Sequence, residues 1–301
     1  MGVGRIDARF AALKAEDRAA FVAYVMAGDP DAATALDILC GLPAAGADII
    51  ELGFPFSDPM AEGPPIQRAS ARALGAGMTL DGTLGMVRAF RQGDQDTPII
   101  LMGYLNVLLT HGLEPFAADA ANAGVDGIIV VDCPPEEASP LEAALAARDI
   151  ALIRLATPTT DDARLAIVVQ RTSGFVYYVS VAGVTGVKEA DAALVAPAVE
   201  RVRRASRLPV AVGFGIKTPE RAAAVARVAD AVVVGSALVD EIAPGRGLCT
   251  ARACGRYRSS HGGFRRRRST GPGSQAGAAT RRLAGQDRAG RPPPGGQARD
   301  A

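Results

Sequence analysis

A chain of 301 residues, 49% apolar and 22% charged, can bury the core of one large α/β domain and needs no second one. Its net charge of +1 conceals a division: residues 244–301 carry 13 Arg against two acids, which leaves 20 basic and 30 acidic groups in the first 243 residues. An acidic body argues against nucleic acid as a partner, and the absence of any run near the ~20 apolar residues of a bilayer span argues against a membrane protein. The amino terminus has no apolar leader, so a cytoplasmic location is expected. Cys40, Cys133, Cys249 and Cys254 have neither metal-ligand nor disulfide-framework spacing.

Apolar runs too continuous to alternate, separated by helical patterns, are the mark of a parallel sheet covered on both faces. In chain order they fall at 21–26, 48–52, 98–102, 126–132, 151–155, 175–179, 209–213 and 230–235, with helical patterns at 31–45, 80–91, 114–123, 135–147, 160–170, 190–204 and 219–228. Asp29-Pro30 and Thr218-Pro219 read as a cap followed by proline at a helix start. Three strands share an approach, Ala-Gly-Ala-Asp48, Ala-Gly-Val-Asp126 and Val-Ala-Asp230, each a helix end, a tight turn and then a β-branched run. Asp126 and Asp230 are four strand steps apart, about 26 residues per step, a compact and regular βα unit. Eight such strands predict a (β/α)8 TIM barrel over an open doubly wound sheet.

The predicted barrel domain is 1–243, and its last helix is incomplete, about two turns from Ser236. Residues 244–301 contain no Val, Ile, Met or Lys, and 30 of these 58 are Arg, Gly or Pro, so they are expected to form a disordered tail. Two origins fit them: a natural basic tail, or out-of-frame translation of a GC-rich coding region. The break inside a helical stretch favours the second.

The residue that stands out is Glu51, a carboxylate inside the apolar run Ile49-Ile-Glu-Leu. An acid there is costly unless it is paired or used. The longest strand-to-helix connection follows it and carries Asp58 and Glu62 on a stretch stiffened by Pro55, Pro59, Pro64 and Pro65, so both read as positioned. Glycine turns end later strands: Gly183-Val-Thr-Gly186, Gly213-Phe-Gly-Ile216 and Gly235-Ser236. Such turns let backbone N–H groups approach phosphate oxygens at the active face of a barrel. His111 reads as a helix-opening surface residue and His261 lies in the tail, which leaves carboxylates for acid–base work. Tyr177 fits hydrogen bonding or packing equally well.

These motifs carry a resemblance. Glu51-Leu-Gly-Phe-Pro-Phe-Ser-Asp-Pro-Met-Ala-Glu-Gly-Pro, with Gly28-Asp-Pro before it and Met102-Gly-Tyr-Leu-Asn, Asp132-Cys-Pro, Ala182-Gly-Val-Thr-Gly and Gly213-Phe-Gly-Ile after it, is similar to the α subunit of tryptophan synthase over about residues 5–243. The resemblance implies a lyase that cleaves indole-3-glycerol phosphate to indole and glyceraldehyde 3-phosphate. It also implies an α2β2 assembly in which indole passes to a β subunit that carries pyridoxal phosphate, with no cofactor in this chain. Glu51 matches the family's catalytic acid/base, and Glu62 falls on its second carboxylate, more often Asp. Tyr24, Tyr104, Leu155 and Tyr177 match positions around the indole. Thr185, Gly186, Phe214, Gly215, Gly235 and Ser236 match other substrate-binding positions, chiefly the phosphate cradle. The stretches 55–77 and 181–194 are expected to act as lids. The family continues past the Gly-Ser turn with a long amphipathic helix that is missing here, so the last and first strands are expected to be partly uncovered. A second reading is a poorly active subunit that docks on and activates its partner. An isomerase barrel leaves the 51–67 stretch unexplained.

Overall fold

The computed structural model describes residues 2–180, 192–213, 215–242 and 255. Eight parallel strands close into a barrel in chain order: β1 (Ala20–Met26), β2 (Ile49–Gly53), β3 (Ile99–Gly103), β4 (Gly127–Val130), β5 (Ala151–Ala156), β6 (Val176–Val179), β7 (Val210–Gly213) and β8 (Ala231–Val234), which pairs back onto β1. This is the (β/α)8 TIM barrel expected from the strand spacing. The shared end of the predicted domain and start of the predicted tail lies outside the described residues, as does the tail apart from Gly255.

The helices are α1 (Gly2–Ala15), α2 (Ala32–Gly41), α3 (Pro64–Gly75), α4 (Leu80–Arg91), α5 (Leu105–His111), α6 (Leu113–Ala123), α7 (Ser139–Ala146), α8 (Asp162–Val169), α9 (Ala192–Ser206), α10 (Pro219–Ala226) and α11 (Ser236–Ile242). Three of them are absent from the sequence reading, for physical reasons. The buried face of α3 is Ile66, Ala69, Ser70 and Ala73, too small and mixed to stand out as an apolar stripe. The helix α5 is a single short segment. The helix α1 buries only Ile6, Phe10 and Leu13, and its other positions are mostly alanine, glycine and charged residues. It joins the core by Phe10, whose ring lies 5.8 Å from that of Phe175.

Several local expectations need correction. The helix expected from 31 to 45 stops at Gly41, because Pro43 has no N–H to donate to the Leu39 carbonyl one turn back. Its cap is Asp31, whose carboxylate accepts the Thr34 N–H at 2.9 Å. Asp29 is instead buried in an ion pair with Arg72 of α3, at 2.6 and 2.8 Å. Thr218 does cap α10. His111 closes α5 where a helix start was expected, with Nε2 3.0 Å from Asp119. The expected lid at 55–77 contains all of α3, and the one at 181–194 is described only from residue 192. Both β1 and β8 are buried along their whole length, where partial exposure was expected. The short α11 buries Leu238, Val239 and Ile242 and packs on β1 and α3, while α10 packs on β8.

The shared Asp of the sequence repeat has a structural role at the amino-terminal end of the barrel. Asp48 donates its N–H to the Phe21 carbonyl and accepts the Phe21 N–H on its carboxylate, both at about 2.9 Å. Asp126 does the same to Ile99, and Asp230 to Val210. Ser173, in the equivalent place before β6, repeats the pattern on Leu152 with its hydroxyl. Each even-numbered strand therefore starts with a polar side chain that clamps the odd-numbered strand before it. Arginines neutralise the acids: Arg18 on Asp48, Arg5 and Arg91 on Asp126, and Arg203 on Asp230.

Removing a clamp should cost stability in proportion to what it leaves buried. Asp126→Ala strands Arg91, whose side chain is 7% exposed, and should lower the unfolding free energy by about 3–5 kcal/mol. Ser173→Ala loses one neutral hydrogen bond and should cost about 1 kcal/mol. Urea denaturation of the two variants measures the difference, and equal losses would show that the charge carries no special weight.

Candidate active site

At the carboxyl ends of the strands a pocket opens whose inner wall is Tyr24 of β1, Glu51 of β2, Met102 of β3, Tyr177 of β6 and Val233 of β8. Glu62 on the connection after β2 and Ile66 of α3 also line it, as do Gly215, Ile216 and Lys217 after β7 and Gly235 and Ser236 after β8. Glu51 reaches the pocket because inward-facing residues recur at every second strand position, and it sits in register between Tyr24 and Ile100. Glycine makes room for the aromatic neighbours. The Tyr24 hydroxyl lies over Gly53 and the Tyr177 hydroxyl over Gly213, so closely that a Cβ at either glycine would collide with it.

Glu62 is positioned by several contacts on its connection. The Phe56 N–H donates to Ser70 Oγ at 3.0 Å, and that hydroxyl donates back to the Phe56 carbonyl at 2.8 Å. The Ala61 N–H donates to the Tyr104 hydroxyl at 3.0 Å, while the Tyr104 ring stacks on Phe56 at 5.1 Å. Gln67 Nε2 donates to the Glu62 carbonyl at 2.9 Å. Through the Arg72–Asp29 pair, α3 is fixed to the β1 connection as well. Asp58, expected to be positioned beside Glu62, is exposed and pairs with the neighbouring Ser57.

Glu51 and Glu62 are 2% and 4% exposed, and burial raises the pKa of both. The Glu51 carboxyl is pushed up to about 8, by burial first and then by the charge of Glu62. Glu62 is pushed up to about 7 by burial. Near neutral pH the pair therefore holds a proton on Glu51 and shares Glu62 between its two states. Burial and the same carboxylates hold Tyr24 and Tyr177 well above the usual phenol range, so both stay protonated as hydrogen-bond donors. The pocket thus combines a protonated acid, a second carboxyl that burial holds between its two states near neutral pH, and apolar walls.

Of the residues singled out in the sequence, Tyr24, Glu51, Glu62, Tyr177, Gly215, Gly235 and Ser236 meet in this pocket. Tyr104 stands behind it and supports the Glu62 connection. Leu155 lines a neighbouring cavity with Asp132, Cys133 and Arg154. Thr185, Gly186 and Phe214 lie outside the described residues. Ile66, Met102, Ile216, Lys217 and Val233 line the pocket without having been singled out. For Lys217 a signal existed: it directly follows the Gly-Phe-Gly-Ile turn.

Fold and pocket together define a (β/α)8-barrel enzyme equipped for general acid–base chemistry at the carboxyl-terminal mouth. The family model described as tryptophan synthase alpha chain matches residues 10–253. The tryptophan synthase alpha chain of Caulobacter vibrioides is 79% identical over 238 residues, covering 79% of this chain and 86% of the relative. That of Phenylobacterium zucineum is 78% identical over 243 residues, covering 81% and 88%. Among solved structures, tryptophan synthase subunit alpha from Legionella pneumophila superposes with a TM-score of 0.79 at 41% identity, covering 85% of this chain and 97% of that one. A Mycobacterium tuberculosis tryptophan synthase chain gives 0.78 at 37%, covering 87% and 98%. The chain belongs to the tryptophan synthase alpha chain family.

The raised carboxyl pKa values predict a pH-dependent stability. Between the ordinary value of 4.5 and about 8 for Glu51, the folded state binds more protons than the unfolded one. The contribution is fully present below pH 4.5 and is lost as pH rises through 8. Glu51→Gln cannot ionise, so its melting temperature should exceed that of the parent by more at pH 9 than at pH 5. Parallel pH curves for the two proteins would contradict the burial-driven shift at Glu51.

Proposed function

We propose that this chain cleaves indole-3-glycerol phosphate to indole and glyceraldehyde 3-phosphate, with Glu51 and Glu62 as its catalytic residues. The observation that carries the reading is the meeting of these two buried carboxyls, with raised pKa values, in one pocket of a family-type barrel. Protonated Glu51 donates to the ring carbon that bears the glycerol side chain, which leaves positive charge on the indole nitrogen. Ionised Glu62 stabilises that charge by accepting the N–H. The Glu51 carboxylate then takes the proton of the adjacent side-chain hydroxyl. The carbon–carbon bond breaks, its electron pair returns to the ring and the hydroxyl carbon becomes the aldehyde. Glu51 ends protonated, ready for the next turnover.

Tyr24 and Tyr177 enclose the indole, with Leu155 beside Tyr177 in the strand register and Tyr104 holding the Glu62 connection. Gly215, Gly235 and Ser236, with Thr185, Gly186 and Phe214, receive the rest of the substrate, chiefly its phosphate. The chain works without a cofactor of its own. It acts in the cytoplasm, in an α2β2 assembly with a tryptophan synthase β subunit that holds pyridoxal phosphate and consumes the indole. Family membership supports the partnership, and no helix among the described residues is long and apolar enough to cross a membrane. Residues 1–243 form the catalytic unit and hold every residue given a role above.

Indole release, followed with and without added β subunit, tests the reading. Glu51→Gln should lower kcat by at least ~10²-fold, with little change in the affinity for glycerol 3-phosphate. Glu62→Asp should retain or improve cleavage, since it offers the same group on a shorter arm, and Glu62→Ala should be nearly inactive. Full turnover in Glu51→Gln would remove it from the mechanism. A parent chain that activates the β subunit but releases no indole would instead be a docking subunit.

A further inference from the structure

The pocket is lined by both signs of charge. Glu51 on β2 and Glu62 on the connection after it supply the carboxyls, and Lys217, after β7, is the cationic side chain among the described residues that line it. Its backbone is closely placed. Gly215 turns the chain at φ +73°, a conformation that suits glycine, and Ile216 is 4% exposed as part of the pocket wall. Thr218 follows as the cap of α10. Lys217 is thus held between a buried anchor and a capped helix start, while its own side chain remains exposed at the rim.

Resting on the substrate reading above, we propose that Lys217 is a specificity-determining residue whose ammonium holds the phosphate end of the substrate and orients it in the pocket. An ionised Glu62 repels a phosphate dianion. An exposed cation, where both glutamates are buried, makes the orientation with phosphate outward and ring inward the favourable one. Glycine backbone N–H groups supply directed donors but no net charge. A lysine supplies a formal charge on a flexible stem that can follow a phosphate as it enters and leaves. Such an exposed charge attracts most strongly at low salt.

The test compares the parent chain, K217Q and K217R, each with the β subunit added. Cleavage of indole-3-glycerol phosphate and binding of glycerol 3-phosphate are measured at low and high salt. K217Q should raise KM and the glycerol 3-phosphate Kd roughly five- to tenfold, leave kcat within about twofold and flatten the salt dependence of both constants. K217R should recover most of the loss, and cleavage of dephosphorylated indole glycerol should be the same in K217Q and parent. Unchanged KM, Kd and salt dependence in a K217Q protein of parental melting temperature would overturn the proposal, as would a fall in kcat alone. If the parent releases no indole, the cleavage reading fails by itself, and the glycerol 3-phosphate arm still decides the role of Lys217.

Discussion

Glu51 and Glu62 are held out of water in an apolar barrel mouth, and among the described residues no ion pair involves either. An ionised carboxylate in such a place costs several kcal/mol, a burden that the protein lessens by keeping a proton on the pair near neutral pH. Much of the surrounding structure serves to keep that arrangement dry and fixed. The inward faces of β1, β3, β6 and β8 present Tyr24, Met102, Tyr177 and Val233 to it, and Ile66 of α3 closes the side. Paired to an arginine, either glutamate would ionise fully and lose its use as a proton donor. Among the described residues neither has a partner cation, which supports function at the expense of stability.

The two carboxyls are held by different means. Glu51 belongs to a strand whose register is set by hydrogen bonds on both sides, so its place follows from the barrel itself. Glu62 belongs to an irregular connection and depends on side chains from separate elements: Ser70 of α3, Tyr104 at the start of α5 and the Arg72–Asp29 pair. Rigid placement of the first and supported placement of the second allow one to be exact in position and the other to adjust.

The barrel was legible because each strand is a continuous apolar run and each helix between them has its own period. Strand ends were readable to within one or two residues, as at 21–26 against Ala20–Met26. What escaped notice were elements with weak stripes. The helix α3 buries mainly alanine and serine, and α1 buries three large apolar side chains among alanines, glycines and charged residues. Glu51 announced itself as a charge in an apolar strand. Glu62 was readable through its proline-stiffened surroundings and the family motif. Asp58 shared those surroundings but not the burial, because nothing in the local sequence distinguishes a residue that turns inward from one that faces solvent. Tyr104 and Leu155 show the same limit, since a pocket position inferred by likeness does not reveal whether a side chain lines the cavity or stands behind it.

The clamps at the other end of the barrel have a consequence for assembly. Each joins residues only 20–27 positions apart in the chain, whereas the closing β1–β8 contact joins the two ends of the sheet. The entropy of closing a loop grows with its length, so short-range pairings come at the lower cost and long-range closure follows. The molecule is in this sense four two-stranded modules, β1–β2, β3–β4, β5–β6 and β7–β8, each with its own local lock. Three of those locks are ionic and one, at Ser173, is neutral. Of the four locks, the one at Ser173 is accordingly the one that should respond least to salt and pH.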